Sequence, residues 1–326
     1  MIKNLSIPYM GSKRKLAPKI LDFILERHPK CEYFYDLFGG GGAVSFEALQ
    51  RPQIKKVFYN ELNTGVCNLL KKIRDDGVTS EFYEWVSRDK FHELKSGDDW
   101  KSGLIKTCWS FGNCQRTYMF GESAEKQKRL LHEFVVNKCE DSIREFEETY
   151  GLVIPRHLNN FDTINERRLS IMGYIKKSIL GRVDLQQLEQ LERLQQLQQL
   201  QQIEQLERLQ QLEQLQQLEI SNMSYEDVVI ENIPENTVIY LDPPYIGTMK
   251  YQKDILHDDL YDYINDSKYP IYMSSYKSDL DEVLSMNHIS TLNNNNVVVV
   301  VEKLFANKIA LNSAILKQQT TGILDF

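Results

Sequence analysis

Short apolar runs that end in polar or acidic residues recur along this chain and predict the strands of a buried sheet. Three of them cover residues 32–38, 57–63 and 238–241, and they are rich in Val, Ile, Tyr and Phe. Helical patterns cover residues 16–25 and 43–49, the second directly after the first strand. Strands that alternate with helices predict an α/β protein with a Rossmann-like sheet.

Later in the chain the pattern is sparser. Residues 251–264 are partly helical in pattern, residues 269–275 form an apolar run, and residues 289–292 and 297–304 are apolar on either side of an Asn-rich turn. We therefore predict a further strand and then a hairpin at the end of the same sheet.

Four consecutive glycines, Gly39 to Gly42, separate the first predicted strand from its helix. The dinucleotide spacing G-x-G-x-x-G is absent because Val44 stands where the third glycine belongs, which disfavours a simple NAD-binding fold. The glycines still let a bulky cofactor lie close to the backbone. The next strand ends at Asn60 and Glu61, where a carboxylate usually holds ribose hydroxyls, although either residue could equally cap a helix. Together these features predict a nucleoside-containing cofactor.

The apolar run at 238–241 ends in the motif Asp242-Pro243-Pro244-Tyr245. Because neither proline has an N–H group, the backbone has to leave the sheet here in an extended conformation. Asp242 and Tyr245 should then lie at the carboxyl end of a strand, where open α/β sheets bind ligands. A carboxylate, a carbonyl and an aromatic ring suit a planar heterocycle with an amino group, whose lone pair the acceptors would localise during attack. By itself the motif is also compatible with a simple turn.

Residues 76–183 differ in character. Helical patterns at 82–94 and 126–136 flank an aromatic, glycine-broken segment at 108–121, which predicts a hairpin that presents Gln115, Arg116 and Tyr118. Arg and Gln side chains read purines in the major groove, and an aromatic ring can fill the gap left by an extruded base. A core hairpin of a helical subdomain is the alternative. Lys126 and Arg129 follow on the next predicted helix and are further candidates for DNA contacts.

Residues 185–218 repeat Leu-Gln-Gln and Leu-Glu-Gln with an apolar residue at every third position. On an α-helix each step of three drifts by about −60°, so the apolar side chains would spiral around the helix instead of forming one stripe. A coiled coil is therefore disfavoured. A short stacked solenoid and an irregular helical insertion are equally compatible with the repeat, which we expect to be structural.

Charge is unevenly distributed. The net charge is −7, but residues 184–219 hold seven acids and two arginines and so account for −5 of it. Residues 1–30 and 150–183 carry +5 and +4 and could meet phosphates or simply be solvated surface. Five cysteines without CxxC spacing indicate reduced thiols, not a zinc site. With no signal region and no long apolar run, we expect a cytoplasmic protein without membrane contacts.

Four motifs, in this order, resemble the Dam-type DNA adenine-N6 methyltransferases: Tyr9-Met10-Gly11-Ser12-Lys13, Asp36-x-Phe38-x-Gly40-x-Gly42, Asn60-Glu61-Leu62-Asn63 and Asp242-Pro243-Pro244-Tyr245. The order resembles that of a phage-like D12-class member with alpha motif order. The resemblance implies S-adenosylmethionine as methyl donor, double-stranded DNA as substrate and no metal. The family commonly has an acid where this chain has Ser224, which puts the contact of Tyr225 with the cofactor adenine in doubt.

The resemblance also implies roles for individual residues. Asp242 and the Pro243 carbonyl would hold the amine of a flipped adenine, and Tyr245 would stack on the base. Pro244 would complete the catalytic motif between Pro243 and Tyr245. The cofactor would be held by residues from all four motifs and by the aromatic after Ser224: Tyr9, Lys13, Asp36, Phe38, Gly40, Gly42, Asn60, Glu61, Tyr225 and Asp242.

We therefore predict a catalytic domain from residues 1–75 and 219–326, a mainly helical target-recognition domain at 76–183 and a repeat insertion at 184–218. Cytosine-N4 or RNA-base methylation uses the same amine chemistry and is an alternative, as is a non-catalytic DNA-binding relative. We expect a monomer, and the sequence leaves open a cognate restriction endonuclease as partner.

Overall fold

The computed structural model describes residues 2–180, 197–230, 233–245, 257–290 and 298–313, and seven strands in these ranges form one mixed sheet. The strand order is β3-β2-β1-β4-β5-β7-β6. The strands are β1 (Tyr33–Asp36), β2 (Lys56–Asn60), β3 (Leu218–Ser221), β4 (Thr237–Leu241), β5 (Ile271–Ser275), β6 (Asp281–Ser290) and β7 (Val298–Ala306).

The five strands β3, β2, β1, β4 and β5 are parallel, whereas β7 pairs antiparallel with both β5 and β6. Asp36, the last residue of β1, lies beside Tyr59 of β2 and Tyr240 of β4. Glu61 and Asp242 each follow these partners by two residues. The parallel register therefore brings three carboxylates to one edge of the sheet. This confirms the predicted Rossmann-like α/β architecture.

The α-helices of the described ranges are α1 (Ala17–Arg27), α2 (Ala43–Leu49), α3 (Thr64–Asp76), α4 (Arg88–Leu94), α5 (Trp100–Cys108), α6 (Glu122–Asn137), α7 (Glu140–Tyr150), α8 (Ile164–Leu180), α9 (Gln198–Gln210) and α10 (His257–Asp266). None of the helices in those ranges has the length and apolar content needed to span a membrane.

Two predicted elements differ from the structure. The helix predicted over 82–94 is wrong as one element, because a 3-10 turn at Ser80–Tyr83 precedes α4 and Ser87 caps α4 by accepting from Lys90 N at 3.3 Å. The hairpin strand predicted at 289–292 starts earlier, since β6 begins at Asp281. As an edge strand with mostly exposed residues, β6 has no apolar run to reveal it. The predicted turn at 293–296 lies outside the described residues.

The chain divides into two compact units. The sheet unit consists of Met1–Ile7, Gly11–Cys67 and Leu212–Phe326, and the helical unit of Pro8–Met10 and Asn68–Gln211. In the sheet unit, residues from β1, β4, α10 and β5 form an apolar cluster that includes Tyr35, Ile239, Leu260 and Ile271.

Within the helical unit, α9 shows how the period-3 repeat is packed. Leu200, Ile203, Leu206 and Leu209 occur at every third position and are all buried. Three steps of about −60° turn the apolar face through roughly half the circumference of an α-helix. The helix accordingly packs against α5, α8 and the 3-10 turn at 80–83. Residues 185–196 of the repeat lie outside the described residues, and Leu218 starts strand β3.

Candidate active site

Three acidic residues meet at the carboxyl edge of the parallel strands: Asp36 after β1, Glu61 after β2 and Asp242 after β4. Asp36 is 2% exposed, and burial raises the pKa of its carboxyl to about 7, a shift that the charges of Asp242 and Glu61 increase and the hydrogen bond from Ser45 opposes. Burial likewise raises the pKa of Glu61. Such a concentration of buried carboxylates is costly to folding and is typical of a functional site.

The glycine turn between β1 and α2 is fixed by neighbouring side chains. Gly40 and Gly42 have φ values of +50° and +73°, which glycine adopts without strain. A Cβ atom on Gly39 would lie 2.2 Å from the ring of Tyr59, whose hydroxyl donates to the Gly40 carbonyl at 2.7 Å. The turn therefore requires glycine for close packing as well as for its backbone angles.

Glu61 supports the same turn. One carboxylate oxygen accepts from Gly40 N at 2.7 Å and the other accepts from Asn63 N at 2.8 Å. A carboxylate has about four acceptor positions, so each oxygen keeps capacity for a ligand hydroxyl. Glu61 can thus fix the turn and also hold a ribose.

The side-chain amide of Asn60 is hydrogen-bonded within the sheet unit. Its amide donates to the carbonyls of Leu37 and Met223 at 3.1 and 3.0 Å and accepts from Ser221 Oγ and Met223 N at 2.9 and 3.3 Å. These four bonds use the whole hydrogen-bonding capacity of the amide. Asn60 therefore ties the ends of β1, β2 and β3 together with its side chain, and its contact with a cofactor stays a prediction.

Asp36 has the property expected of a ligand-binding acid. Its Oδ2 accepts from Ser45 Oγ at 2.7 Å, but Oδ1 is buried and has no hydrogen-bond partner among the described residues. An unpaired buried carboxylate oxygen is expensive, and an ammonium group of a ligand would satisfy it. This orphaned oxygen beside the glycine turn fits the amino-acid part of S-adenosylmethionine.

Aromatic rings line the same edge. The ring centroids of Phe38 and Tyr225 lie 5.1 Å apart, and Tyr225 packs edge-on against Tyr263 at 5.4 Å. Tyr225 is 6% exposed, whereas Phe38 is half-buried. Of these two predicted cofactor contacts, Phe38 is therefore more accessible than Tyr225.

A second cluster surrounds Asp242. Lys13 is buried, and its Nζ lies 2.9 Å from Asp242 Oδ1 and 3.8 Å from Glu302 Oε1, and donates to the Gly11 carbonyl at 3.3 Å. Burial lowers the pKa of Lys13, but the two carboxylates outweigh it, so the pKa is raised overall. Lys13 is thus a fixed cation that contacts Asp242. The sequence predicts a contact of Lys13 with the cofactor but not this ion pair.

Tyr245 lies against the same groups. Its hydroxyl lies within hydrogen-bonding distance of two carboxylate oxygens to which it can donate, Asp242 Oδ1 at 3.1 Å and Glu302 Oε1. Lys13 Nζ lies 4.9 Å from the centroid of the Tyr245 ring. Tyr276 packs edge-on against this ring, with centroids 4.6 Å apart and an interplanar angle of 70°. Pro243 is buried and Pro244 half-buried. The Asp-Pro-Pro-Tyr motif is therefore held in one geometry on several sides.

Glu302 and Ser45 are site residues that the sequence analysis missed. Glu302 interrupts the apolar run of β7, and a lone acid in such a run must find a partner when it is buried. That signal could have identified it. Ser45 lies in the first turn of α2, where nothing in the sequence distinguishes it from a helix-start residue.

The helical unit contains the predicted DNA-contacting residues. Arg116, Lys126 and Arg129 are exposed and Gln115 is half-buried with φ +62°, while Lys126 pairs with Glu145 at 2.5 Å. Tyr118 is 3% exposed and donates to the Val86 carbonyl at 2.7 Å, so the prediction that a hairpin presents it is wrong. The ring of Tyr118 packs against Phe91 and Phe120, with centroids 5.5 and 5.6 Å apart, and Tyr118 forms an isolated bridge with Ser110.

Two other predictions concern this unit. The basic stretch 150–183 is partly committed internally: Arg156 binds Glu147 and Glu140, Arg167 is buried, and Arg168 pairs with Glu204 at 3.3 Å. Tyr9 belongs to the helical unit and is half-buried, so its role in closing over a cofactor stays a prediction.

Comparison with known proteins is consistent with this geometry. A search of curated proteins finds no match. The family model of the D12 class N6 adenine-specific DNA methyltransferases matches residues 9–296, which include the glycine turn, the Asp-Pro-Pro-Tyr motif and the whole helical unit apart from Pro8. The chain therefore belongs to the D12 class of N6 adenine-specific DNA methyltransferases.

Proposed function

We propose that this protein transfers a methyl group from S-adenosylmethionine to N6 of an adenine that is rotated out of double-stranded DNA at a specific sequence. The observation that carries this proposal is the position of Asp242 at the carboxyl end of β4, on the same edge as the orphaned Asp36 oxygen. In this proposal Asp242 would accept from the target amine and Asp36 from the cofactor. Family membership supports the DNA adenine substrate.

The cofactor would be held by Asp36, Glu61 and the glycine turn between β1 and α2. S-adenosylmethionine, when bound, supplies an electrophilic methyl group on a positively charged sulfur. Asp36 Oδ1 would accept from an ammonium group, Glu61 would accept from ribose hydroxyls, and Gly40 and Gly42 leave the backbone open to close approach. Phe38 would offer its half-buried ring to the adenine of the cofactor.

The target amine would be held by the second cluster. The lone pair of an adenine amino group is delocalised into the ring, so the amine is a poor nucleophile. Acceptance of its two N–H bonds by Asp242 and the Pro243 carbonyl would localise this lone pair as it attacks. Tyr245 would stack on the base, worth roughly 1–3 kcal/mol. The amine nitrogen would then lose one proton to water.

An adenine inside the stack cannot reach these groups, which is why base flipping is part of the proposal. Arg116 and Gln115 are candidates for reading bases, and Lys126 and Arg129 for binding phosphates. Since Tyr118 is buried, we infer that Phe111 is the aromatic that fills the gap left by the extruded base. Phe111 is 65% exposed and lies five residues from Arg116.

The test is transfer of labelled methyl from S-adenosylmethionine to unmodified double-stranded DNA, followed by nucleoside analysis. We expect label in N6-methyladenine, with none transferred to DNA whose adenines are already methylated. Label in N4-methylcytosine would overturn the choice of base while keeping the chemistry. Transfer to RNA alone, or no transfer with cofactor bound, would refute the DNA substrate.

A further inference from the structure

Glu302 is a buried acid that none of the four sequence motifs contains. In β7 the side chains alternate, so that Val299 and Val301 are 61% and 42% exposed while Glu302 and Leu304 are 2% and 0% exposed. Glu302 therefore projects from the buried face of a strand near the edge of the sheet. An acid in such a position costs free energy unless its oxygens are hydrogen-bonded or paired.

The described partners of Glu302 are groups of the methyl-transfer site. Its Oε1 accepts from the Tyr245 hydroxyl and lies 3.8 Å from Lys13 Nζ. Lys13 is nearer to Asp242, at 2.9 Å, so the lysine mainly neutralises Asp242. The hydrogen bond to Tyr245 is thus the closer link between Glu302 and the site.

The Tyr245 hydroxyl has one proton and two carboxylates within reach, Asp242 Oδ1 at 3.1 Å and Glu302 Oε1. The two acids compete for this hydrogen bond. An arriving amino group needs acceptor capacity on Asp242, which Lys13 and Tyr245 both engage. If Tyr245 donates fully to Glu302, Asp242 is relieved of one donor and the hydroxyl keeps a partner.

We propose that Glu302 is a positioning residue of the methyl-transfer site, which holds the ring of Tyr245 through its hydroxyl and frees Asp242 to accept from the amino group of the target base. This inference rests on the proposed function of Asp242 and Tyr245. Tyr276 borders the ring from another side, with centroids 4.6 Å apart, so Glu302 completes the set of contacts that fixes its orientation.

The kinetic test uses Glu302→Gln, Tyr245→Phe and the double variant. Glutamine keeps the size of the side chain but replaces a charged acceptor by a weaker neutral one. We expect Glu302→Gln to lower kcat for methyl transfer about tenfold, with the KM for S-adenosylmethionine within about twofold of wild type. In the Tyr245→Phe background, Glu302→Gln should change kcat by less than about twofold, because the hydroxyl through which it acts is gone.

The matched control is Glu282→Gln. Glu282 lies on β6 of the same hairpin, is exposed and pairs with Lys303 at 2.6 Å, so its variant removes a paired acid outside the site. It should retain wild-type kcat. A kcat for Glu302→Gln equal to that of Glu282→Gln would overturn the proposal, as would losses that multiply in the double variant.

A second measurement does not depend on catalysis. Thermal unfolding of the same proteins without ligands tests whether Glu302 and Tyr245 are coupled in the folded chain. We expect the Tm loss of the double variant to be smaller than the sum of the two single losses. Additive losses would overturn the proposal even if wild-type protein methylates DNA. If Glu302 and Tyr245 are coupled in a protein that transfers no methyl group, the proposed function is refuted. The positioning role of Glu302 in methyl transfer is then refuted with it.

Discussion

The sheet unit and the helical unit each contain a buried titratable side chain, Asp36 and His132, and the two side chains differ in their hydrogen-bond partners. In the helical unit His132 is 0% exposed, with Nε2 2.8 Å from the Tyr83 carbonyl and Nδ1 3.4 Å from Gln199 Nε2. Both ring nitrogens have a partner, and burial lowers the pKa of His132 to about 4. In the sheet unit Asp36 keeps one oxygen without a hydrogen-bond partner in the part of the chain that the structure describes, and burial raises its pKa to about 7.

This difference separates a structural polar group from one that we propose binds a ligand. The neutral His132 joins α6, the 3-10 turn and α9 into one core, which needs no ligand. An orphaned atom alone does not define a site, because Trp109 Nε1 in the helical unit also lacks a hydrogen-bond partner among the described residues. Asp36 differs because its orphaned atom is a carboxylate oxygen at the edge of the sheet where Glu61 and Asp242 also lie.

The largest expected effect concerns Asp242, the acid assigned to the amine. Asp242→Ala should lower kcat by about 10³-fold, because the transition state loses the acceptor that localises the lone pair. Affinity for S-adenosylmethionine, measured by calorimetry, should change little. Asp262→Ala on the exposed side of α10 is the control and should leave kcat unchanged. Retained turnover in Asp242→Ala would refute the assigned role.

Asp36 should show that a functional acid reduces stability. Its folded pKa is about 7 against an ordinary 3.8, so the folded state binds more protons and stability falls as pH rises through this window. Asp36→Asn removes the penalty, and its advantage in unfolding free energy should grow by about 3 kcal/mol between pH 5 and pH 8. Urea unfolding at both pH values measures this.

The same variant should bind S-adenosylmethionine at least about tenfold more weakly at pH 8, because the ionised acceptor for its ammonium group is lost. Asp258→Asn, an exposed change on α10, is the control for both measurements. A pH-independent stability difference would show that Asp36 is already ionised at low pH, and unchanged affinity would show that the cofactor does not contact it.

His132 should give the opposite pH dependence. Its folded pKa of about 4 lies below the ordinary 6.5, so the unfolded state binds more protons and stability is lost as pH falls through this window. Wild-type protein should lose about 2 kcal/mol between pH 6.5 and pH 5 from this residue. His132→Asn should be less stable overall but lack this loss, whereas the exposed His92→Asn in the same unit should keep it. Hydrogen exchange of α6 and α9 amides would show whether the effect is confined to this unit.

Glycine substitutions compare backbone packing in the two units. Gly39→Ala places a Cβ 2.2 Å from the Tyr59 ring and should cost about 2 kcal/mol in unfolding free energy, together with weaker cofactor binding. A Cβ on Gly173 in α8 would meet no atom of the described ranges within 4 Å, so Gly173→Ala should stabilise the protein by up to about 1 kcal/mol. Denaturant unfolding ranks the two, and equal effects would mean that the glycine turn is not fixed by Tyr59.

The smallest expected effect tests which aromatic contacts DNA. Phe111→Ala should weaken binding of double-stranded DNA about tenfold without lowering Tm, because the ring is 65% exposed and makes little contribution to the core. Phe161→Ala, which removes another exposed ring of the helical unit, is the control. Tyr118→Phe should leave DNA affinity unchanged and lower Tm through loss of the bond to Val86. The reverse result would restore Tyr118 as the DNA-contacting ring.

The sequence by itself determined the parts of this protein that depend on backbone geometry. Alternating apolar runs and helical patterns predicted β1, α2, β2 and β4, because period and turn residues act locally. The prolines after Asp242 and the glycines after Phe38 fix where the chain leaves the sheet. The sequence therefore predicts that the acids of these motifs lie at strand ends, whatever the order in which the strands pair.

Only the tertiary structure decided which side chains are available and which are committed. The amide of Asn60 is used by three strand ends, Tyr118 is taken into an aromatic core, and Arg168 is paired with Glu204. Glu302 joins the site from about 60 residues beyond Asp242 through the pairing of β5 with β7. Such contacts depend on packing between segments distant in the chain, and no local period or propensity encodes them.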